Sequence, residues 1–154
     1  MQRAADGIVD MYSSVHGTTG AAIMVIAPNP IGAAAAFVSH FIWDYIGERS
    51  IGNTLKSSII EGSLLLIFLI ASALSGNFWL ALTGWIMANL PDLIDKPMKW
   101  FFGKKSWFSC HNGPGLFQYK GCKLGWPVKY KLTKNQTLAF NIGSTLLWVL
   151  WCFI

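Results

Sequence analysis

Charged residues are scarce in this sequence of 154 residues: Asp, Glu, Lys and Arg make up 12% of it, against about 25% in a typical soluble domain. An intrinsically disordered chain is excluded, because such chains are polar and highly charged. Three cysteines are too few for a small secreted scaffold held together by disulfides. Apolar residues make up 53% of the chain, so the composition favours a membrane protein over a soluble globular one.

Three long stretches contain no Asp, Glu, Lys or Arg. They cover residues 11–43, 62–91 and 135–154, and they are 33, 30 and 20 residues long. A membrane-spanning helix needs about 17–25 mostly apolar residues, so the third stretch fits one helix and each of the others fits two. Turn signals divide the longer stretches at Pro28-Asn29-Pro30 and at Ser75-Gly76-Asn77.

The sequence therefore predicts an all-α, polytopic membrane helical bundle of about five helices, made of two hairpins and a C-terminal helix. The predicted helices cover residues 12–27, 31–47, 54–74, 78–95 and 136–154. Residues 1–154 form a single membrane domain in this interpretation. An alternative joins the first two helices into one span that is kinked at Pro28 and Pro30, which would place His16 and His40 at different depths.

All twelve basic residues fall on one side of the predicted bundle. Arg3 precedes the first helix, Arg49 and Lys56 lie around the connection between the second and third helices, and the other nine lie in a loop at 96–134 that contains no acid. The positive-inside rule places this side in the cytoplasm. We therefore expect the N-terminus and the 96–134 loop to be cytoplasmic and the C-terminus to be outside.

Aromatic residues alternate with the lysines of the 96–134 loop. They are Trp100, Phe101, Phe102, Trp107, Phe108, Tyr119, Trp126 and Tyr130. A basic and aromatic loop can bind nucleic acid, but it equally suits anionic lipid headgroups, with rings at the interface and lysines on phosphates. In a membrane protein we prefer the lipid headgroups to nucleic acid. Lysine-rich flanks are also a plain topological signal that needs no ligand.

A polar face marks the predicted second helix. His40, Asp44 and Glu48 are spaced at i, i+4 and i+8, which places them on one side of a helix. Imidazole and carboxylate groups one turn apart can share a divalent metal. The alternative is a hydrogen-bonded core histidine followed by two carboxylates that are solvated at the helix end. Ionisable groups within a membrane are costly and usually functional, which favours a site.

The predicted hairpins bring further polar residues to a similar depth. His16 lies 12 residues before Pro28, and His40 lies 10 residues after Pro30. Three carboxylates lie 14–16 residues from their turns, within roughly 3 Å of one depth at 1.5 Å per residue; they are Asp44, Glu61 and Asp92. Asp95 lies one turn beyond Asp92, and His111 lies in the cytoplasmic loop. We expect these groups to converge near the cytoplasmic face, as a metal site or as a proton or ion path.

These residues resemble the motifs of the predicted membrane-bound metal-dependent hydrolases, a family of small multi-span bacterial proteins that includes a LexA-regulated inner-membrane protein. His16 resembles the family's first histidine, Ser39-His40 with Asp44 resembles its His-x-x-x-Asp helix, and residues 90–95 resemble its Leu-Pro-Asp-x-Asp-His motif. His111 resembles the last histidine of the family's motifs. Here two residues separate Asp92 from Asp95, where the family has one, and Lys96 replaces the histidine. The likeness covers about residues 12–115.

The resemblance implies a bacterial inner-membrane protein with a divalent metal, zinc above all and manganese or iron as alternatives. The predicted ligands are His16, His40, Asp44, Asp92, Asp95 and His111. Glu48 or Glu61 is the predicted general base, and the reaction is hydrolysis of a phosphate or ester in a lipid-like substrate. Two other functions remain open: a non-catalytic subunit or assembly factor with membrane-protein partners, and a small metal or proton transporter that uses Glu61.

Overall fold

The computed structural model describes residues 13–44, 54–102, 117–119, 122–124 and 132–154. Within these ranges the chain forms five α-helices and one antiparallel pair of short strands. The helices are α1 (Ser13–Ile26), α2 (Pro30–Asp44), α3 (Thr54–Leu74), α4 (Phe78–Phe102) and α5 (Lys134–Cys152). The strands β1 (Phe117–Tyr119) and β2 (Cys122–Leu124) pair with Phe117 opposite Leu124.

The predicted number of helices is confirmed within the described ranges, and both predicted turns separate helices. α4 extends seven residues beyond its predicted end at 95, so the connection predicted at 96–134 begins only after Phe102. Lysine and methionine are good helix formers, so Lys96, Met98 and Lys99 suit this extension, whereas Pro97 within it has no amide hydrogen to donate to the preceding turn. The β1–β2 hairpin lies inside that connection and was not predicted.

Asn29 and Pro30 set the turn between α1 and α2. The Asn29 Oδ1 atom accepts hydrogen bonds from the backbone N–H groups of Ile31, at 2.9 Å, and Gly32, at 3.1 Å. These groups have no acceptor within the first turn of a helix, and asparagine before proline is a favoured helix start. α1 and α2 pack against each other. The two helices are therefore a hairpin, and the alternative of one kinked span is wrong.

Gly76 ends α3 and starts the turn into α4. Its φ of +75° is a left-handed conformation that glycine adopts without strain. In this conformation the Gly76 N–H donates to the Ala73 carbonyl and the Asn77 N–H donates to the Ser72 carbonyl, both at 3.2 Å. This is the Schellman arrangement, which satisfies the last carbonyls of a helix.

α1 is the central helix, because it contacts each of the other four. Its small residues permit this, above all where it meets α4. Gly20 and Gly84 lie against each other's backbone, and an added Cβ on either would collide with the other's carbonyl oxygen. Gly17 leaves the space that the indole ring of Trp85 occupies. Glycines at such contacts let two helix backbones approach closely.

α3 packs chiefly on α5. The rings of Phe68 and Trp148 lie 5.3 Å apart between centroids. The indole Nε1–H of Trp148 donates to the Ser72 hydroxyl oxygen at 3.0 Å. Both rings are almost fully buried, together with Ala71 and Ala81. This apolar core aligns α3 with α5 and completes the bundle around α1.

Large aliphatic side chains cover much of the surface. Leu66, Ile70 and Leu74 of α3 are exposed by 58%, 52% and 70%. Within the described ranges, no helix is both long enough and apolar enough to cross a membrane. Of the predicted polytopic membrane bundle, the five-helix, all-α architecture is thus confirmed, whereas the membrane spans are not supported by the helices.

Replacing Gly20 with alanine tests the contact between α1 and α4. The added methyl group would press on the Gly84 backbone, and overpacking of this kind costs about 1–3 kcal/mol. Gly62→Ala is the matched control, because a Cβ there meets no atom within 4 Å and alanine is a better helix former by about 1 kcal/mol. We expect circular dichroism to show a lower unfolding temperature for Gly20→Ala and an unchanged or higher one for Gly62→Ala. Equal unfolding temperatures for the two variants would contradict the close contact.

Candidate functional site

Two histidines lie together inside the bundle. His16 of α1 and His40 of α2 are exposed by only 5% and 0%. Their ring centroids lie 4.4 Å apart, with the ring planes inclined by 36°. The short turn at Asn29 brings them to the same level, as the spacing of the sequence predicts.

Asp92 of α4 joins the histidine pair. The Asp92 side chain is 3% exposed, and its Oδ1 atom lies 3.8 Å from His40 Nε2. The other ring nitrogen, His40 Nδ1, lies 2.7 Å from the Ala88 carbonyl oxygen. Since a carbonyl oxygen only accepts, Nδ1 carries the hydrogen and donates it. In the neutral ring, the lone pair is therefore on Nε2, the nitrogen nearer to Asp92.

α4 is continuous through Pro91, which lies inside the helix predicted over residues 78–95. Pro91 has no amide hydrogen to donate to the preceding turn, and side chains bond the carbonyls of that part of the helix. The Ala88 carbonyl accepts from His40 Nδ1, and the Trp85 carbonyl accepts from Asn89 Nδ2 at 2.8 Å. Side chains of α2 and of α4 itself thus bond carbonyls in the turns that precede the proline.

The structure describes only some of the other predicted site residues. Glu61 lies half-buried in α3. Asp44 is the last residue of α2 and Asp95 lies in α4, but the side chains of both are outside the described part of the structure. Glu48 and His111 also lie outside the described residues. In the part of the chain that is described, no three His, Cys, Asp or Glu side chains form a group that could hold a metal ion.

Asn141 of α5 is a buried polar residue that the sequence analysis missed. Its Oδ1 atom accepts hydrogen bonds from the Ser14 hydroxyl and, at 3.3 Å, from the Val15 backbone N–H. Both donors are in the first turn of α1, where backbone N–H groups have no acceptor within the helix. Asn141 therefore caps α1 from a neighbouring helix, two residues before His16.

A spacing of four residues is the sequence signal that could have identified this face of α5. Thr137, Asn141 and Thr145 are all buried, and they recur at i, i+4 and i+8 in an otherwise apolar helix. Asn141 Nδ2 donates to the Thr137 carbonyl at 2.8 Å, and the Thr145 hydroxyl donates to the Asn141 carbonyl at 3.0 Å. Polar residues on one face of an apolar helix indicate a contact within the bundle rather than a surface.

Replacing Asn141 with leucine tests this cap. Leucine has the same number and branching of side-chain heavy atoms but offers no acceptor to Ser14 or Val15, and a buried donor without an acceptor costs about 1–3 kcal/mol. We expect the free energy of unfolding, from denaturant titration, to fall by this amount. Asn135→Leu is the control, because Asn135 is exposed at the start of α5 and surface substitutions change stability by about 0.5 kcal/mol or less. An equal loss of stability in the two variants would contradict the cap.

Comparison with known proteins assigns no family to this geometry. No family model matches the chain, and neither a curated protein nor a solved structure matches it. The proposals for function below therefore rest on the residues and on their arrangement in the bundle.

Proposed function

We propose that the chain is a membrane-embedded helical protein with a divalent-metal site near its cytoplasmic face, and that it hydrolyses a phosphate or ester of lipid-like structure. The observation that carries this proposal is the position of His40, held by the Ala88 carbonyl and facing Asp92 inside the bundle. The membrane location and the metal chemistry rest on different observations.

The distribution of side chains supports the membrane location. Ile26, Ile31 and Leu147 are exposed by 75%, 80% and 68%, whereas His40 and Asn141 are fully buried. In water, leaving these aliphatic side chains exposed forgoes stability, because burying a large aliphatic side chain is worth about 1.5–3 kcal/mol. Lipid removes that penalty, and polar groups then bond to one another inside the bundle. The proposal rests on this surface, which all five helices form, rather than on the length of any one helix.

The basic residues support the orientation. The end of α2 lies beside the N-terminal half of α5, as the contact of Trp43 with Phe140 indicates. Lys56 and Lys134 lie exposed in the first turns of α3 and α5, and the other basic residues flank the same helix ends in the sequence. The positive-inside rule would place this end in the cytoplasm of a bacterial cell. The lysines of the 96–134 segment would then lie near anionic headgroups of the inner membrane.

Two donor atoms suit a divalent ion. His40 Nε2 and Asp92 Oδ1 lie 3.8 Å apart, and zinc binds nitrogen and oxygen ligands at about 2.0–2.2 Å, so one ion can reach both. Histidines that bind metals usually donate their second ring nitrogen to an acceptor that orients the ring, as His40 does to Ala88. The other ligands in this proposal are His16, Asp44, Asp95 and His111. Zinc is the preferred ion, with manganese or iron as alternatives.

The chain's own acids and bases complete the proposed chemistry. A divalent ion in such a site would supply a water of lowered pKa and would polarise a phosphoryl or ester oxygen. Glu61, half-buried in α3, or Glu48 would accept the proton as general base. The lysines of the 96–134 segment would hold the anionic group of the substrate. The resemblance to membrane-bound metal-dependent hydrolases supports the same class of reaction.

The outer face of α2 favours a second candidate, a non-catalytic subunit or assembly factor of a membrane complex. Ala34 and Ala35 are exposed there beside Ile31 and Val38. Small residues on an apolar face let another helix approach closely in lipid. An Ala34→Phe variant would break such a complex and leave hydrolysis unchanged, whereas His40→Gln would abolish hydrolysis and leave the complex intact.

Metal content tests the proposed site directly. We expect purified wild-type protein to hold close to one equivalent of zinc, manganese or iron by elemental mass spectrometry. Asp92→Asn keeps the shape of its side chain and His40→Gln keeps a polar group, but each removes a metal ligand. Loss of a partner that only orients a ligand costs about 10–100-fold in affinity, so we expect at least a tenfold loss in each variant. Ser39→Ala is the control: Ser39 is buried beside His40, but its hydroxyl donates to the Ala36 carbonyl within α2.

Two results would overturn the metal proposal. A wild-type protein that takes up no metal after incubation with these ions would exclude the site. Equal metal content in the three variants would exclude His40 and Asp92 as ligands. Circular dichroism spectra of each variant keep the comparison valid, since a loss of metal through unfolding would also change the helix content.

A pair of cysteines at the two ends of α5 tests the membrane orientation. In a background with the native cysteines replaced by serine, we expect Ile154→Cys to react with a membrane-impermeant maleimide in intact cells. Lys134→Cys should react only after the inner membrane is made permeable. Both native residues are exposed, so a difference in maleimide reactivity would not come from local burial. Equal reactivity of the two positions in intact cells would contradict a membrane-crossing orientation.

A further inference from the structure

A cavity of about 710 Å³ opens between α1 and α5. Its α5 wall runs from Ala139 to Trp151, a length of roughly 18 Å at 1.5 Å per residue. Its α1 wall includes Thr18 and Ala22, and Trp43 of α2 lies at one end. Neither His40 nor Asp92 lines it, so this cavity is separate from the proposed metal site.

Several polar groups of the lining bond within the protein. The Thr18 hydroxyl donates to the Ser14 carbonyl at 2.8 Å, and the Ser144 hydroxyl donates to the Asn141 carbonyl at 3.0 Å. Trp43 Nε1 donates to the Thr19 hydroxyl oxygen at 3.0 Å.

No charged side chain lines the cavity. The indole hydrogen of Trp148, which also belongs to the lining, is committed to the Ser72 hydroxyl oxygen. A ligand would therefore meet mainly aliphatic and aromatic carbon.

We propose that this cavity binds one hydrocarbon chain of a lipid. Its volume lies in the range of about 300–1,000 Å³ that is typical of small-molecule sites, and its elongated, uncharged wall suits an acyl chain. The twelve lining residues are fewer than the roughly 20–30 that a stable protein interface uses on each side, which argues against a second copy of the chain. Leu147 and Trp151 are 68% and 41% exposed, so the cavity joins the apolar surface.

Gly143 keeps the cavity open along α5. It belongs to the lining, and a Cβ at this position would meet no atom within 4 Å. A phenylalanine at 143 would therefore fill the cavity without colliding with the backbone. Gly62 of α3 has the same empty surroundings and is not part of the lining. The two glycines form a matched pair of positions for testing whether a ligand occupies the cavity.

Photolabelling with a palmitate analogue that carries a diazirine near its middle tests this site. We expect mass spectrometry of the purified, full-length protein to find the label concentrated on α1 and on residues 139–151 of α5. Excess unlabelled palmitate should compete for it. Gly143→Phe should lower labelling of these segments at least tenfold, and Gly62→Phe should leave it unchanged. Ala139→Phe fills the cavity from its rim and serves as the second blocking variant if Gly143→Phe does not fold.

Two outcomes would overturn the lipid-chain proposal. Label spread evenly over the exposed faces, unaffected by either blocking variant, would show surface contact with lipid rather than a site. A fall in the mass of the purified protein from dimer to monomer in Gly143→Phe would assign the cavity to a second copy. Both outcomes are independent of metal content, so failure here and failure of the proposed hydrolase are distinguishable.

Discussion

The contact between α1 and α4 at Gly20 and Gly84 is the constraint on which the rest of the structure depends. Because neither residue has a side chain, the two backbones touch, and α1 can lie against all four other helices. The same approach brings α4 to the α1–α2 hairpin, so that His40 reaches the Ala88 carbonyl. A side chain at this contact would move α4 outward and separate His40 from Asp92.

Around this contact the bundle buries many polar side chains beside its apolar core, while large aliphatic side chains cover much of its surface. The buried groups bond to one another across helices, as Asn141 does with Ser14 and as Trp148 does with Ser72. Such bonds are worth most where water is absent and no other partner competes. The bond from His40 Nδ1 to the Ala88 carbonyl is one of these interhelical bonds, and it holds the ring in one tautomer.

The sequence predicted those features that depend on local chemistry. Asn29 before Pro30 and Gly76 after α3 each fix a turn through their own conformational preferences, so the five helices could be predicted within the described residues. The pairing of His16 with His40 followed from the first of these turns. The bond from His40 Nδ1 to the Ala88 carbonyl could not be predicted, because it joins helices that are distant in sequence. The cap that Asn141 places on α1 joins residues 126 and 127 positions apart, which no local pattern reveals.

The proposed function places one divalent ion between His40 Nε2 and Asp92 Oδ1. A crystal structure of the zinc-loaded protein, with anomalous difference density measured at the zinc absorption edge, would locate this ion. We expect one strong peak within about 2.2 Å of both atoms, with His40 Nδ1 still bonded to the Ala88 carbonyl. Density elsewhere on the chain, or no peak while His40 and Asp92 keep their present positions, would contradict it.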